Sequence, residues 1–62
     1  MDDDALKAQI RKLNAQATQL KMDLHDLSEE LPLNWEKIPE VAARTFEAYQ
    51  ALTEARKQRV GN

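Results

Sequence analysis

Along the first half of the chain, Leu6, Ile10, Leu13, Ala17, Leu20, Leu24, Leu27 and Leu31 are separated by alternating steps of four and three. A strand repeats every two residues and cannot use that spacing. On an α-helix the same spacing draws one narrow apolar stripe, suited to packing against other helices. The chain is therefore built to place helices side by side.

The boundaries of the helices come from local chemistry. Asp2, Asp3 and Asp4 put negative charge and a candidate N-cap where a helix exposes its unpaired amides, and no Gly or Pro interrupts the run from there to Leu31. The first helix is expected over about 4–31. Pro32 ends it, because proline lacks an amide and disfavours helical geometry in the residue before it. Residues 32–38 form a connector in which Asn34 is placed to cap a single turn. Pro39 suits the opening turn of a second helix over about 39–60, where its missing amide costs nothing. The second helix carries a looser stripe, Ile38, Ala42, Thr45, Tyr49 and Leu52, widened by Val41, Phe46, Ala48 and Ala55. In that frame the apolar line runs into Arg56 and Arg59.

The predicted fold is all-α: a two-helix antiparallel hairpin that self-associates into a four-helix bundle. Folding back about the connector brings Leu27 near Ala42, Leu20 near Tyr49 and Ala17 near Leu52, and leaves Leu6, Ile10 and Leu13 against the polar end of the second helix. Large apolar side chains left wet forgo roughly 1.5–3 kcal/mol each. A 62-residue chain with no cysteine has neither disulfides nor thiolate metal sites to offset that loss. A second copy covering the stripe is the simplest remedy, so a homo-oligomer is expected, a dimer or a tetramer. Its seam is read as Leu6, Ile10, Leu13, Ala17, Leu20, Leu24 and Leu27. Ala17, the smallest residue on the stripe, either admits a close helix crossing at a dyad or accommodates a large neighbour such as Tyr49.

Charge and composition exclude several functions. The net charge of −2 argues against a general nucleic-acid binder, which clusters Lys and Arg. No apolar run is long enough to cross a bilayer, the acidic N-terminus does not read as a signal peptide, and a cytoplasmic protein with no membrane role is expected. The charges are segregated nonetheless. Lys7, Arg11, Lys12, Arg56, Lys57 and Arg59 fall toward the termini, whereas Asp23, Asp26, Glu29, Glu30, Glu36 and Glu40 gather around the middle. In a hairpin these become a basic open end, tempered by Asp2, Asp3 and Asp4, and an acidic turn end.

Catalytic chemistry is absent from the pattern. There is no phosphate-binding glycine loop, no cysteine nucleophile and no metalloprotease histidine pair, so no catalytic residue, no enzyme and no cofactor is expected. His25 and Glu29, four apart on a helix, are positioned to share a metal ion, but a lone His on an acidic, solvent-facing helix reads more simply as a surface residue paired to Glu29. Trp35 in the connector is read as a plug over the end of the bundle, or alternatively as an anchor for a partner. Arg44 and Glu40 read as an ordinary surface ion pair.

Two stretches carry a family resemblance: Leu13-Asn14 and Thr18 through Leu27, then Leu31-Pro32, Trp35 through Ala42, Thr45-Phe46 and Ala48-Tyr49. Together they resemble the Rop-like proteins encoded in bacterial nitrogen-fixation operons. The most specific part is the connector, with Leu-Pro, Trp-Glu and Ile-Pro-Glu, and then a helix bearing Thr and aromatics. The resemblance implies a self-associating hairpin serving nitrogenase maturation or cofactor assembly, with no enzymatic activity and no catalytic residues to carry over. It also implies relatives that continue past this C-terminus. The expected function is a non-enzymatic accessory protein-interaction module of nitrogen fixation with an unidentified partner from that pathway. One alternative is a metal-binding helper of the same pathway using His25 and nearby carboxylates. A more distant one is RNA binding of the kind associated with Rop, for which Lys7, Arg11, Asn14, Thr18, Lys21 and His25 give only a diluted basic stripe. Partner docking is expected at the turn end, with Trp35 and Glu36 in contact and Asp26, Glu29 and Glu30 around them.

Overall fold

The computed structural model describes residues 2–60, with side chains described for 4–58. Two helices, α1 (Asp2–Glu30) and α2 (Ile38–Val60), pack against each other and are joined through a single 3-10 turn at Trp35–Lys37. The hairpin is a rod of 48 × 15 × 12 Å. α1 starts at Asp2, earlier than the acidic cap suggested, and stops at Glu30, two residues short of the proline. α2 begins at Ile38, which leaves Pro39 inside its first turn, where no intrahelical donor is lost.

The contact between the helices combines alanines with leucines. Ala17 is 1% exposed, Leu52 2%, Ala55 5% and Leu27 6%, and these four are the buried core of the described residues. Leu6, Ile10, Leu13, Leu20 and Leu24 are half-buried, so the whole heptad stripe of α1 down to Leu27 faces inward. Leu31, which continues it in sequence, lies beyond the helix and is exposed.

On α2 the inward line differs from the expected one. Val41, Thr45, Ala48, Leu52 and Ala55 are buried or half-buried, with Ala42 half-buried beside them, whereas Ile38, Phe46 and Tyr49 stand outside. The physical reason lies at the open end. A line through Ile38, Ala42, Tyr49 and Leu52 meets Arg56 next, while the observed line reaches Ala55 and keeps charge out of the contact. Small residues on that line also let the two axes approach closely.

The register is set at mid-rod. The Thr45 hydroxyl donates to the Val41 carbonyl at 2.8 Å, and its oxygen lies 3.4 Å from the carbonyl oxygen of Leu20 on the facing helix. Leu20 therefore meets Thr45 and not Tyr49, one helical turn from the expected pairing. Equal rise along antiparallel helices then carries Ala17 to Ala48, Leu13 to Leu52 and Ile10 to Ala55. Leu6, Ile10 and Leu13, expected to lack cover within the chain, are each half-buried, and on this register Leu13 and Ile10 come level with Leu52 and Ala55. Ala17 is closed off by the chain's own second helix, and its small size serves that crossing.

Leu52→Ala removes the one large side chain that is fully buried among the described residues, and should lower stability by about 2–5 kcal/mol. Leu33→Ala, at a side chain that is 70% exposed, should change it by no more than about 0.5 kcal/mol. Thermal and urea unfolding monitored by circular dichroism distinguish the two.

Candidate interaction surface at the turn

Chain reversal is achieved between Glu30 and Ile38. The Leu33 amide donates to the Glu30 carbonyl at 3.0 Å, which closes the end of α1, and the Leu31–Pro32 peptide is cis. Asn34 comes next but one, with φ 61° and ψ 25°, in the left-handed region. Asparagine tolerates that conformation better than any β-branched or bulky residue, because its short polar side chain can bond locally. Here the Asn34 side-chain amide donates to Glu30 Oε1 at 3.1 Å, tying the turn back to the last residue of α1. Asn34 does cap the adjoining 3-10 turn by position, yet through its carbonyl, which accepts from the Lys37 amide at 3.0 Å. Its side chain makes no capping bond.

This path turns apolar side chains outward. Leu31 is 41% exposed, Leu33 70%, Trp35 62% and Ile38 37%, all between the end of α1 and the first residue of α2. Trp35, read in the sequence as a plug over the end of the bundle, is thus left mostly in water by the single hairpin. Two helices leave no interior large enough for an indole at the turn, and the left-handed Asn34 directs the chain across the end of the rod.

Carboxylates are close to the patch in sequence. Asp26, Glu29, Glu30, Glu36 and Glu40 are all exposed. Glu30 is engaged by Asn34, and Glu40 pairs with Arg44 at 3.0 Å, the surface ion pair expected from their spacing. Such an exposed pair contributes about 0.3–0.5 kcal/mol. Asp26 and Glu36 are exposed as well. The residues expected to form a docking surface, Trp35 and Glu36 with Asp26, Glu29 and Glu30, thus fall at one end of the rod. Leu31, Leu33 and Ile38 belong with them. Their signal in sequence was present, three large aliphatic residues flanking Trp35, but in a connector they read equally well as cover for the core.

His25 Nε2 stands 3.4 Å from Glu29 Oε2, with both side chains 68% exposed. Ser28 donates to the His25 carbonyl at 2.6 Å and contributes nothing to that pair. Among the described residues no three His, Cys, Asp or Glu side chains converge on a point where an ion could be held. Nor, among them, is any helix long and apolar enough to cross a membrane.

Comparison with known proteins agrees with this architecture. The NMR structure of a protein solved by the Northeast Structural Genomics Consortium is 58% identical, superimposes with a TM-score of 0.89, and matches 95% of this chain and 83% of its own. A UPF0437 protein of Azorhizobium caulinodans is 51% identical over 57 residues, covering 92% of this chain and 83% of that protein. UPF0437 proteins of Trichormus variabilis and Frankia alni are each 51% identical, over 89% and 84% of this chain. The chain spans only 64% and 63% of those two relatives. The Frankia protein is described by its place in the nifX-nifW intergenic region. The Rop-like family model matches residues 1–59, and the chain belongs to the Rop-like family.

Proposed function

We propose that this protein is a non-enzymatic accessory module of nitrogen fixation, working in the cytoplasm in nitrogenase maturation or cofactor assembly, which self-associates through its helices and docks a pathway protein with its turn. The observation that carries the docking half is the exposure of Leu31, Leu33, Trp35 and Ile38 in a stretch that also exposes Glu29, Glu30, Glu36 and Glu40. Apolar side chains gathered on a tip with a charged rim have the anatomy of an interface centre, where a large aromatic anchors and the rim selects the partner. The link to nitrogen fixation is supported by the position of the Frankia relative between nifX and nifW.

Self-association is supported by shape. The radius of gyration is 14.3 Å, against about 10.5 Å for a compact domain of 62 residues. Five large residues of the α1 stripe keep part of their surface in water even after α2 has packed on them. A single hairpin has no further element with which to cover them.

The tests separate assembly from docking. Light scattering at micromolar concentration should report a dimer or larger, with a melting temperature that rises with protein concentration. For docking, the tagged protein should capture its partner from nitrogen-fixing cells, with the partner identified by mass spectrometry and then purified. Glu30 is a poor site for charge reversal because Asn34 depends on it, so Asp26→Lys with Glu36→Lys is the informative variant. It should keep the helical signal and oligomer size while weakening partner binding, most clearly at low salt. Trp35→Ala should shift stability by no more than about 0.5 kcal/mol, because the indole is mostly in water, and should still reduce binding. Unchanged binding in both variants would remove the turn end as the docking site.

A further inference from the structure

We infer that the turn end seats in a cleft of a different protein, apolar at its floor and lined on its walls with lysine and arginine. This rests on the docking proposed for the turn and adds to it the shape and charge of the partner.

The turn is the stretch that the hairpin leaves uncovered. Every residue from Ser28 to Glu40 is exposed, thirteen in succession, whereas no other exposed run among the described residues exceeds three. Its path is held instead by hydrogen bonds, from the Leu33 amide to the Glu30 carbonyl, from the Lys37 amide to the Asn34 carbonyl and from the Asn34 side chain to Glu30. Leu31, Leu33, Trp35 and Ile38 thus meet water on a backbone that is already shaped. A partner covering a preformed turn gains apolar burial and loses little entropy in ordering it.

Charge states what that partner carries. Residues 23–40 hold six carboxylates against the single Lys37, a net of −5. Asp26 and Glu36 enter neither the His25–Glu29 pair nor the Arg44–Glu40 pair. Lysine or arginine on the partner compensates such carboxylates as they leave water, whereas a nucleic acid or an anionic lipid surface is repelled by them.

The shape follows from the dimensions of the rod. Its end, 15 × 12 Å in section, offers a flat surface only a few hundred Å² even with side chains added, well short of the ~800 Å² that each partner contributes to a stable interface. The remainder has to come from the sides of the tip. Closing over α1 from Glu30 back to Asp23, a length of about 10 Å, brings in Asp23, Asp26 and Glu29, all of them exposed. The basic end of a second copy cannot supply that grip, because it is the end of another rod of the same narrow section.

The probe is the soluble extract of nitrogen-fixing cells, applied to the tagged full chain. Contacts in the resulting complex are mapped by coupling carboxyl groups to a small amine with a carbodiimide and reading each site by mass spectrometry. A cleft should slow labelling severalfold, relative to the free chain, at Asp23, Asp26, Glu29 and Glu36 together. Glu47 should be unchanged, as should Glu54, which borders the shallow groove that Phe46 and Tyr49 line on α2. Carbodiimide cross-links from Asp26 or Glu36 should end on lysines of the partner, and raising the salt to about 0.5 M should weaken the complex by about tenfold or more. Protection confined to Glu36 would overturn the cleft while leaving the turn as the docking site. A complex insensitive to salt, with no cross-link to lysine, would overturn the basic walls. Protection of Glu47 and Glu54 with the turn still reactive, or no complex at all, would overturn docking by the turn itself. Labelling of the turn that slows in the purified chain as its concentration rises would make the occupant a second copy and overturn the inference.

Discussion

Two helices can bury only one side of each other, and the close crossing of α1 and α2 on small residues decides which side that is. Ala17 against the line of Thr45, Ala48, Leu52 and Ala55 brings the axes together, and the short approach of Thr45 to the Leu20 carbonyl fixes their offset. Once that line is chosen, Phe46 and Tyr49 have no place in the hairpin's own core. Larger side chains on the packed line would have forced the axes apart and forfeited the contacts that a close-packed interface supplies. The small residues thus do two things: they close the hairpin, and they leave the bulky aromatics on an outer face.

The turn depends on the same crossing. With the axes close, the chain must reverse over a short span, and the left-handed Asn34 anchored to Glu30 provides the reversal without a glycine. The span is too narrow to enclose an indole. Trp35 and its aliphatic neighbours consequently face solvent among carboxylates, and the turn acquires an apolar centre with a charged rim. The turn and the α2 groove are spatially separate, one at the tip of the rod and one along its flank.

Membership of the Rop-like family ties this geometry to a set of relatives, one of them described by its place in the nifX-nifW intergenic region. The hairpin leaves little room for a catalytic cleft. What it offers is surface: a polarised rod, acidic at the turn and basic at the open end, with apolar side chains where a contact needs them. Charge segregation of that kind acts on the orientation and rate of association more than on its strength.

Much of this is legible in the residues. The four-three spacing of α1 identifies its inward face from Leu6 to Leu27, because heptad periodicity is a local property of one helix and needs no partner to be read. Pro32 and Pro39 bracket the connector for an equally local reason, the missing amide and the fixed φ. The Rop-like resemblance is legible in the connector motifs. The inward line of α2 is not, since Ala42, Ala48 and Tyr49 fit two frames almost equally, and only the packing against Ala17 selects the one that keeps Arg56 out. Nor is the exposure of Trp35, because sequence records that a residue is large and apolar, while the space available to it depends on the distance between two helices far apart in sequence. The sequence by itself thus determined two helices, their ends, the buried face of the first and the polarity of the rod. The tertiary structure decided the register, the rotation of α2, and the exposure of Phe46, Tyr49 and Trp35, because those depend on how closely α1 and α2 approach, and that distance is a property of the pair.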